Sequence, residues 1–255
     1  LTLERAAQAV EALARLKQQV GDRIVAFELL NRAQVANVLR HLPDLRAPAD
    51  ADAPFAVLAE LADHDEPAAL DARLEGALAV LHGNGLLRDA ALATSGAARA
   101  AIWRLRHGTA EANRREGMGL TADIAVPLSA VPTFIEQAGR AVQARWPEVT
   151  PMLVAHLGDG NVHFTPMFRH ADWQRLGEPQ RVVADVRRAV HDVAQSLDGS
   201  FSAEHGIGRA LAGELVLRRP AVEVDLMRAL RHALDPAGLL NPGALSDTAP
   251  APPAH

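Results

Sequence analysis

The segment HLGDGNVH, residues 156–163, places two histidines on either side of a glycine-rich turn. Asp-Gly between apolar runs predicts a two-residue type I′ hairpin, because that turn needs positive φ at both central positions. With Asp159 and Gly160 in the turn, His156 lies directly opposite His163, with Cβ atoms about 4.5–5.5 Å apart. Two imidazoles at that separation can share one metal ion.

A site with two histidines needs at least one further ligand. Glu204, in FSAEHGIGR (residues 201–209), is the best candidate, because the adjoining Glu204 and His205 would be unfavourable to bury unpaired. Two histidines and one carboxylate leave open coordination positions, as catalytic Zn²⁺, Mn²⁺ or Fe²⁺ sites do. The alternatives remain that the histidines are surface residues flanking a loop, and that Glu204 favours a helix N-terminus through the helix dipole.

The composition excludes several classes of protein. Of 255 residues, 49% are hydrophobic and 22% charged, which is typical of a soluble globular protein. Lys plus Arg number 26 and Asp plus Glu 31, so the net charge of −5 argues against general nucleic-acid binding. The absence of cysteine excludes thiolate catalysis and cysteine-ligated metals. With no apolar run of about 20 residues and no recognisable secretory leader, no transmembrane segment and a cytoplasmic location are expected.

Helical and strand patterns alternate along the chain and predict an α+β fold. Apolar residues at helical spacing predict helices at residues 3–18, 32–42, 67–82, 96–115, 129–145 and 173–197. Short apolar runs predict strands at residues 23–30, 55–61, 87–92, 120–126, 152–157 and 162–168. We expect a largely antiparallel sheet with helices covering one face, built as two ferredoxin-like halves and followed by a C-terminal helical segment.

Three motifs together resemble a known family. HLGDGNVHF (residues 156–164), SAEHGIGR (202–209) and DPAGLLNPG (235–243) are similar to the C-terminal half of FAD-linked D-2-hydroxyacid dehydrogenases of the vanillyl-alcohol oxidase type. That family includes enzymes that oxidise D-lactate, D-2-hydroxyglutarate and glycolate. FEL at 27–29, IWRLR at 102–106 and DIAVP at 123–127 also resemble it, so the resemblance covers residues 1–245.

The resemblance implies roles for seven residues. The positions of His156, His163 and Glu204 bind a divalent metal in the family, zinc or manganese, and that of His205 is the base that takes the proton of the substrate α-hydroxyl.

The same resemblance assigns binding roles. It implies that Arg106 holds a substrate carboxylate, that Asn161 contacts the substrate beside the metal, and that Asn241 lies near the flavin. Family members that bind a dicarboxylate often carry lysine at the position of Thr121, and threonine does not supply that charge.

The family's FAD-binding domain precedes the matched region and holds the flavin pyrophosphate in a glycine-rich loop that this sequence lacks. We therefore expect a substrate domain at 1–200, a helical segment at 201–245 that completes the active site, and a disordered tail at 246–255. The expected activity is oxidation of a small D-2-hydroxy acid by hydride transfer to FAD, held by a domain of the same or another chain, with a homodimer as a possible assembly. The alternatives are a metal-dependent hydrolase that activates water with the same ligands, and a non-catalytic subunit-interaction module.

Overall fold

Strands and helices alternate along residues 1–63 and 67–245, the part of the chain that the computed structural model describes. The strands in this part are β1 Thr2–Leu3, β2 Ile24–Asn31, β3 Phe55–Leu61, β4 Gly117–Gly119, β5 Ala122–Ala125, β6 Thr150–His156 and β7 Asn161–Arg169. The α-helices in it are α1 Ala6–Val20, α2 Arg32–His41, α3 Pro67–Gly83, α4 Gly96–His107, α5 Thr109–Glu116, α6 Val131–Arg145, α7 His170–Arg175, α8 Pro179–Ser196, α9 Ala212–Arg218 and α10 Ala221–Leu234. The tail predicted at 246–255 lies outside the described residues.

The strands form one seven-stranded sheet in the order β1-β3-β2-β6-β7-β4, with β5 also paired to β7. Each of the pairings is antiparallel. The predicted α+β class with an antiparallel sheet is therefore confirmed.

Two ferredoxin-like halves, as predicted, contain six of the seven strands, and β4 pairs with β7 in addition. In the first, β1, α1, β2, β3 and α3 are followed by a single bridge between Asp89 and Thr2. In the second, β5, α6, β6, β7 and α8 are followed by a single bridge between Ser200 and Ala125. The strand predicted at 87–92 is thus reduced to one bridge, and the halves join through β2 and β6.

The two faces of the sheet have different surroundings. Leu29, Ile124, Ala155 and Val162 are fully buried in the main apolar core, which includes side chains of α1, α3, α6 and α8. The expectation that helices cover only one face is wrong, because α2 packs against β2 and β6 and α4 reaches the opposite face. A separate small apolar cluster, which contains Val38 of α2, stabilises this second group of helices.

Two of the predicted helices are each interrupted. The helix expected at 96–115 breaks at Gly108, where a Cβ atom would stand 2.5 Å from the side chain of Leu42 and 2.9 Å from the carbonyl oxygen of Arg104. The helix expected at 173–197 is two helices, α7 and α8. Pro179 begins α8, as proline favours a first helical turn and disfavours a helix interior.

The chain divides into two compact units, Leu1–Ala203 and Glu204–His255. The described part of the second unit contains α9 and α10. The roles assigned to residues 1–200 and 201–245 stay predictions. Among the described residues, none of the helices combines the length and the apolar character needed to span a bilayer.

Candidate metal and substrate site

The hairpin between β6 and β7 differs from the prediction in its register. His156 lies opposite Asn161, and Val154 lies opposite His163. Residues 157–160 therefore form a four-residue connection, and the predicted two-residue turn with directly opposed histidines is wrong.

The reason for the longer connection lies in Leu157 and Gly160. The N–H of Leu157 donates to the carbonyl of Phe27 at 3.0 Å, and its side chain is fully buried, so this residue still belongs to the sheet's core. Gly160 has a φ of 78°, whereas Asp159 is not among the described residues with positive φ. A type I′ turn needs positive φ at both residues. The Asp159 carboxylate instead accepts the N–H of Asn161 at 3.0 Å.

The two histidines are nevertheless close together. The partner of each residue is displaced by two positions from the predicted register, and side chains two positions apart share a face. The Nε2 atoms of His156 and His163 are 3.2 Å apart, and the ring planes are almost perpendicular at 89°. The predicted proximity of the pair is confirmed, by a diagonal arrangement.

Glu28 of β2 links His156 to Arg106. One carboxylate oxygen lies 2.7 Å from Nδ1 of His156, and the other accepts Nε–H of Arg106 at 2.7 Å. Burial alone would raise the pKa of Glu28, but the hydrogen bonds from His156 and Arg106 outweigh it and hold the pKa below its usual value. Sequence reasoning missed this role, although a charged residue inside an otherwise apolar strand is unfavourable to bury without partners.

Asp123 of β5 faces the second histidine. Its Oδ1 lies 3.6 Å from Nδ1 of His163, and its Oδ2 accepts the N–H of Ala203 at 3.2 Å. Asp123 was also missed as a functional candidate, and it carries the same signal as Glu28, a carboxylate within a buried strand. Glu204 follows Ala203 directly in the sequence.

Asn161 shares a row of the sheet with His156 and Glu28. Its side chain is buried, and its Oδ1 has no hydrogen-bond partner among the described residues. A buried amide oxygen without a partner is unfavourable. This environment suits the predicted contact of Asn161 with a bound ligand.

The donor set around the histidines fits a divalent cation. An ionised carboxylate can only accept, so a neutral His156 carries its proton on Nδ1 and a lone pair on Nε2. That lone pair can accept Nε2–H of His163 across 3.2 Å. A divalent cation bound by both Nε2 atoms would replace this hydrogen bond, and Glu28 behind His156 would complete the usual arrangement of carboxylate, histidine and metal.

The second unit contains three predicted site residues. Nε2 of His205 lies 3.6 Å from a carboxylate oxygen of Glu204, and the two side chains are 61% and 52% exposed. Asn241 lies in the loop after α10 with a φ of 46°, and its carbonyl accepts an N–H of Arg231 at 3.0 Å. The roles of these three residues stay predictions.

Comparison with known proteins places the chain in a family. Residues 1–245 match the family described as "FAD linked oxidases, C-terminal domain". The chain belongs to this family. The FAD-linked oxidase domain thus covers every described strand and helix, which confirms the resemblance of the hairpin and Glu-His-Gly motifs.

The relatives of this FAD-linked oxidase domain carry related names. It is 34% identical over 230 residues to D-2-hydroxyglutarate dehydrogenase of Xanthomonas citri pv. viticola, covering 90% of this chain and 47% of the relative. It is 29% identical over 231 residues to the mitochondrial D-2-hydroxyglutarate dehydrogenase of Arabidopsis thaliana, covering 90% and 39% respectively. For the D-2-hydroxyglutarate dehydrogenase of Stutzerimonas stutzeri the identity is 29% over 225 residues, covering 87% and 47%. The chain therefore spans less than half the length of these curated relatives.

Proposed function

We propose that this domain is the substrate- and metal-binding part of an FAD-dependent dehydrogenase that oxidises a D-2-hydroxy acid to the 2-oxo acid. The observation that carries the proposal is the pair of imidazole nitrogens 3.2 Å apart, each ring backed by a carboxylate, in a member of the FAD-linked oxidases. The names of the relatives support the reaction and the class of substrate.

The proposed metal ligands are His156, His163 and Glu204. A divalent ion held there supplies Lewis acidity, which lowers the pKa of a coordinated hydroxyl. His205 takes the proton of the substrate α-hydroxyl, since an imidazole is a base of suitable strength near neutral pH. FAD, when bound, would serve as the acceptor of the α-hydrogen and its electron pair, so that the C–O single bond becomes the C=O bond of the 2-oxo acid.

Arg106 binds and orients the substrate carboxylate in this proposal. Its Nε–H is used by Glu28, so the terminal nitrogens of the guanidinium are the donors that face a substrate. One of them lies 3.5 Å from Nε2 of His156, so the proposed carboxylate-binding group and the proposed metal ligand are close together. Charge-assisted contacts of this kind fix the orientation of a carboxylate. The Oδ1 atom of Asn161, which has no hydrogen-bond partner among the described residues, can accept a hydrogen bond from the substrate hydroxyl.

Thr121 supplies no positive charge for a second substrate carboxylate. Its hydroxyl is hydrogen-bonded to the hydroxyl of Thr165 at 2.9 Å. This neutral pair occupies the position at which dicarboxylate-binding family members often carry lysine. The reconstitution experiment described below, run with mono- and dicarboxylic 2-hydroxy acids, decides which substrate is oxidised.

The flavin is expected from an FAD-binding domain of the same or another chain, with Asn241 near it. The electron acceptor is unassigned, and the cytoplasmic location and the homodimer stay predictions.

A reconstitution experiment tests the proposal. An FAD-binding domain from this family of FAD-linked oxidases is added to this domain with Zn²⁺ or Mn²⁺, and flavin absorbance is followed anaerobically after addition of D- and L-2-hydroxy acids. We expect this domain alone to be colourless and the loaded complex to be bleached by a D-enantiomer. Failure of every D-2-hydroxy acid to reduce a fully loaded complex would overturn the proposal. Hydrolysis of an ester by this domain alone would favour the hydrolase alternative.

A further inference from the structure

Glu28 has two partners with different proposed tasks. Its side chain is 8% exposed, and each carboxylate oxygen has its own contact, Nδ1 of His156 or Nε of Arg106. His156 is the proposed metal ligand, and Arg106 is the proposed carboxylate-binding group. We propose that Glu28 is a positioning residue that fixes the tautomer of His156 and the direction of the Arg106 guanidinium. The expected effect on metal affinity rests on the proposed function, whereas the expected effect on the tautomer of His156 does not.

The backbone pairing enforces the contact with His156. Glu28 belongs to β2 in the first half of the sheet, and His156 ends β6 in the second half. The two residues are direct partners in the antiparallel ladder that joins the halves. Side chains of such partners lie close together on one face. The strand pairing therefore holds the Glu28 carboxylate next to Nδ1 of His156, and little side-chain entropy is lost in forming the contact.

The contact decides which nitrogen of His156 carries the proton. A neutral imidazole has one N–H and one lone pair, and an ionised carboxylate can only accept. Nδ1, at 2.7 Å from Glu28, is therefore the protonated nitrogen. Nε2, which faces Nε2 of His163, is left as the metal-binding atom. Without this carboxylate the proton is free to occupy Nε2, where it blocks coordination.

The contact with Arg106 has an electrostatic consequence. The Nη2 atom of Arg106 lies 3.5 Å from Nε2 of His156, so its positive charge is close to the proposed position of a cation. A guanidinium that close repels a divalent ion unless a negative charge offsets it. The Glu28 carboxylate provides that charge and holds Nε, so an anion would contact the guanidinium through its terminal N–H groups, of which one on Nη2 lies within hydrogen-bond distance of His156.

Glu60 offers a matched control. It lies on β3, and its carboxylate also accepts from an arginine and from an aromatic N–H, those of Arg99 and Trp103 on α4. Both carboxylates thus connect the sheet to α4, but the contacts that the structure gives Glu60 do not include His156. Replacing either glutamate with glutamine removes one charge at almost unchanged volume.

The first test measures the tautomer in the metal-free chain. The protein is labelled with ¹⁵N-histidine, and the long-range ¹H–¹⁵N spectrum of His156 is assigned by its loss in His156→Ala. We expect the Nδ1–H form in the wild type and in Glu60→Gln. In Glu28→Gln the amide oxygen must accept from Arg106, so the NH₂ group donates to Nδ1 and the proton moves to Nε2. A wild-type His156 protonated on Nε2, or an Nδ1–H form that persists in Glu28→Gln, would overturn the proposal.

The second test measures affinity for Zn²⁺ by calorimetric titration of the same proteins, with circular dichroism as the check on folding. Loss of an outer-shell partner typically weakens metal binding about 10–100-fold, and we expect that loss for Glu28→Gln and a change of less than about twofold for Glu60→Gln. Equal affinities of Glu28→Gln and the wild type overturn the role of Glu28 while the metal site stands. Unchanged affinity in His156→Ala overturns the metal site instead. The tautomer spectra are recorded without metal, so they still test the role of Glu28 in that case.

Discussion

His156 and His163 bring their Nε2 atoms to 3.2 Å although neither residue lies opposite the other in the ladder between β6 and β7. The direct partner of His156 is Asn161, and the direct partner of His163 is Val154. The histidines are diagonal neighbours on one face, a separation that long side chains can bridge. The pair therefore depends on the alternation of side chains along the strands more than on the length of the turn.

Removing either histidine should remove the metal. We expect about one divalent ion per chain in the wild type and a large loss in His156→Ala and His163→Ala, because one imidazole leaves too few ligands for tight binding. Elemental analysis after dialysis provides the measurement. His107→Ala is the control, since His107 stacks on Trp103 rather than on the paired histidines. Unchanged metal content in both site variants contradicts the assignment.

Glu204 and His205 should fail in different ways. In the FAD-containing complex, His205→Asn removes the proposed base, so flavin reduction should slow about 10²–10⁴-fold while the metal content stays near that of the wild type. Glu204→Gln should instead weaken metal retention and lose activity with it. Rapid-mixing spectroscopy and elemental analysis of the same samples check both variants. If His205→Asn loses the metal and regains activity when metal is added, His205 is a ligand and the division of roles is wrong.

Substitution of Gly160 should destabilise the domain, and substitution of Gly158 should not. A Cβ atom on Gly160 would stand 2.3 Å from the carbonyl oxygen of Val126, at a φ of 78°. At Gly158 no atom lies within 4 Å of the corresponding position. We expect Gly160→Ala to lower the free energy of unfolding by about 2 kcal/mol or more, and Gly158→Ala to change it by less than about 1 kcal/mol. Urea denaturation of the two proteins decides, and equal stabilities argue against the close approach of Gly160 to Val126.

Glu116 should make part of the stability sensitive to acid. Burial alone would raise the pKa of Glu116, but the hydrogen bonds from His41 and Arg40 outweigh burial and hold the pKa below its usual value of 4.5. Arg169 also faces the carboxylate. A lowered pKa means that the stabilisation is complete above about pH 4.5 and is lost as the pH falls through the lowered value. We expect Glu116→Gln to be about 1 kcal/mol less stable than the wild type at pH 7, with the difference shrinking below pH 4.5.

Thermal unfolding of both proteins across this pH range measures the effect. Glu136→Gln, which removes an exposed carboxylate paired with Arg140, serves as the control and should show no such pH dependence. A difference between Glu116→Gln and the wild type that stays constant from pH 7 to acid shows that Glu116 does not titrate as described.

Much of the fold could be predicted from local patterns. Periodicity was sufficient to find most of the helices and strands, and the repeated strand-helix-strand order indicated two ferredoxin-like halves. Breaks that depend on distant contacts were missed, as at Gly108, which lies against the side chain of Leu42. A glycine at position 108 can be read as a point of close contact between two segments only once the segment that packs against it is known.

The candidate site was predicted in part for a similar reason. The pairing of His156 with His163 could be inferred because the turn between them is local. The turn length could not, since Leu157 is held by the carbonyl of Phe27, more than a hundred residues away in the sequence. The roles of Glu28 and Asp123 likewise arise from strand pairing between distant segments. The sequence signal for both was an isolated carboxylate in an apolar strand.

The joint between β2 and β6 makes the site a shared property of two repeats. The ladder at this joint has three residue pairs, one of them Glu28 with His156, and the hydrogen bond from Leu157 N–H to the carbonyl of Phe27 extends it. A fluctuation that opens the joint separates these two side chains while each repeat keeps the rest of its own ladder. An ion that binds only the tautomer held by Glu28 binds only when the joint is closed. Ion binding and closure of the joint are then linked equilibria, and each raises the equilibrium constant of the other by the same factor. A bound ion would therefore stabilise the pairing between the two repeats. The amide hydrogens of β2 and β6 would exchange with solvent more slowly as the fraction of metal-bound protein rises.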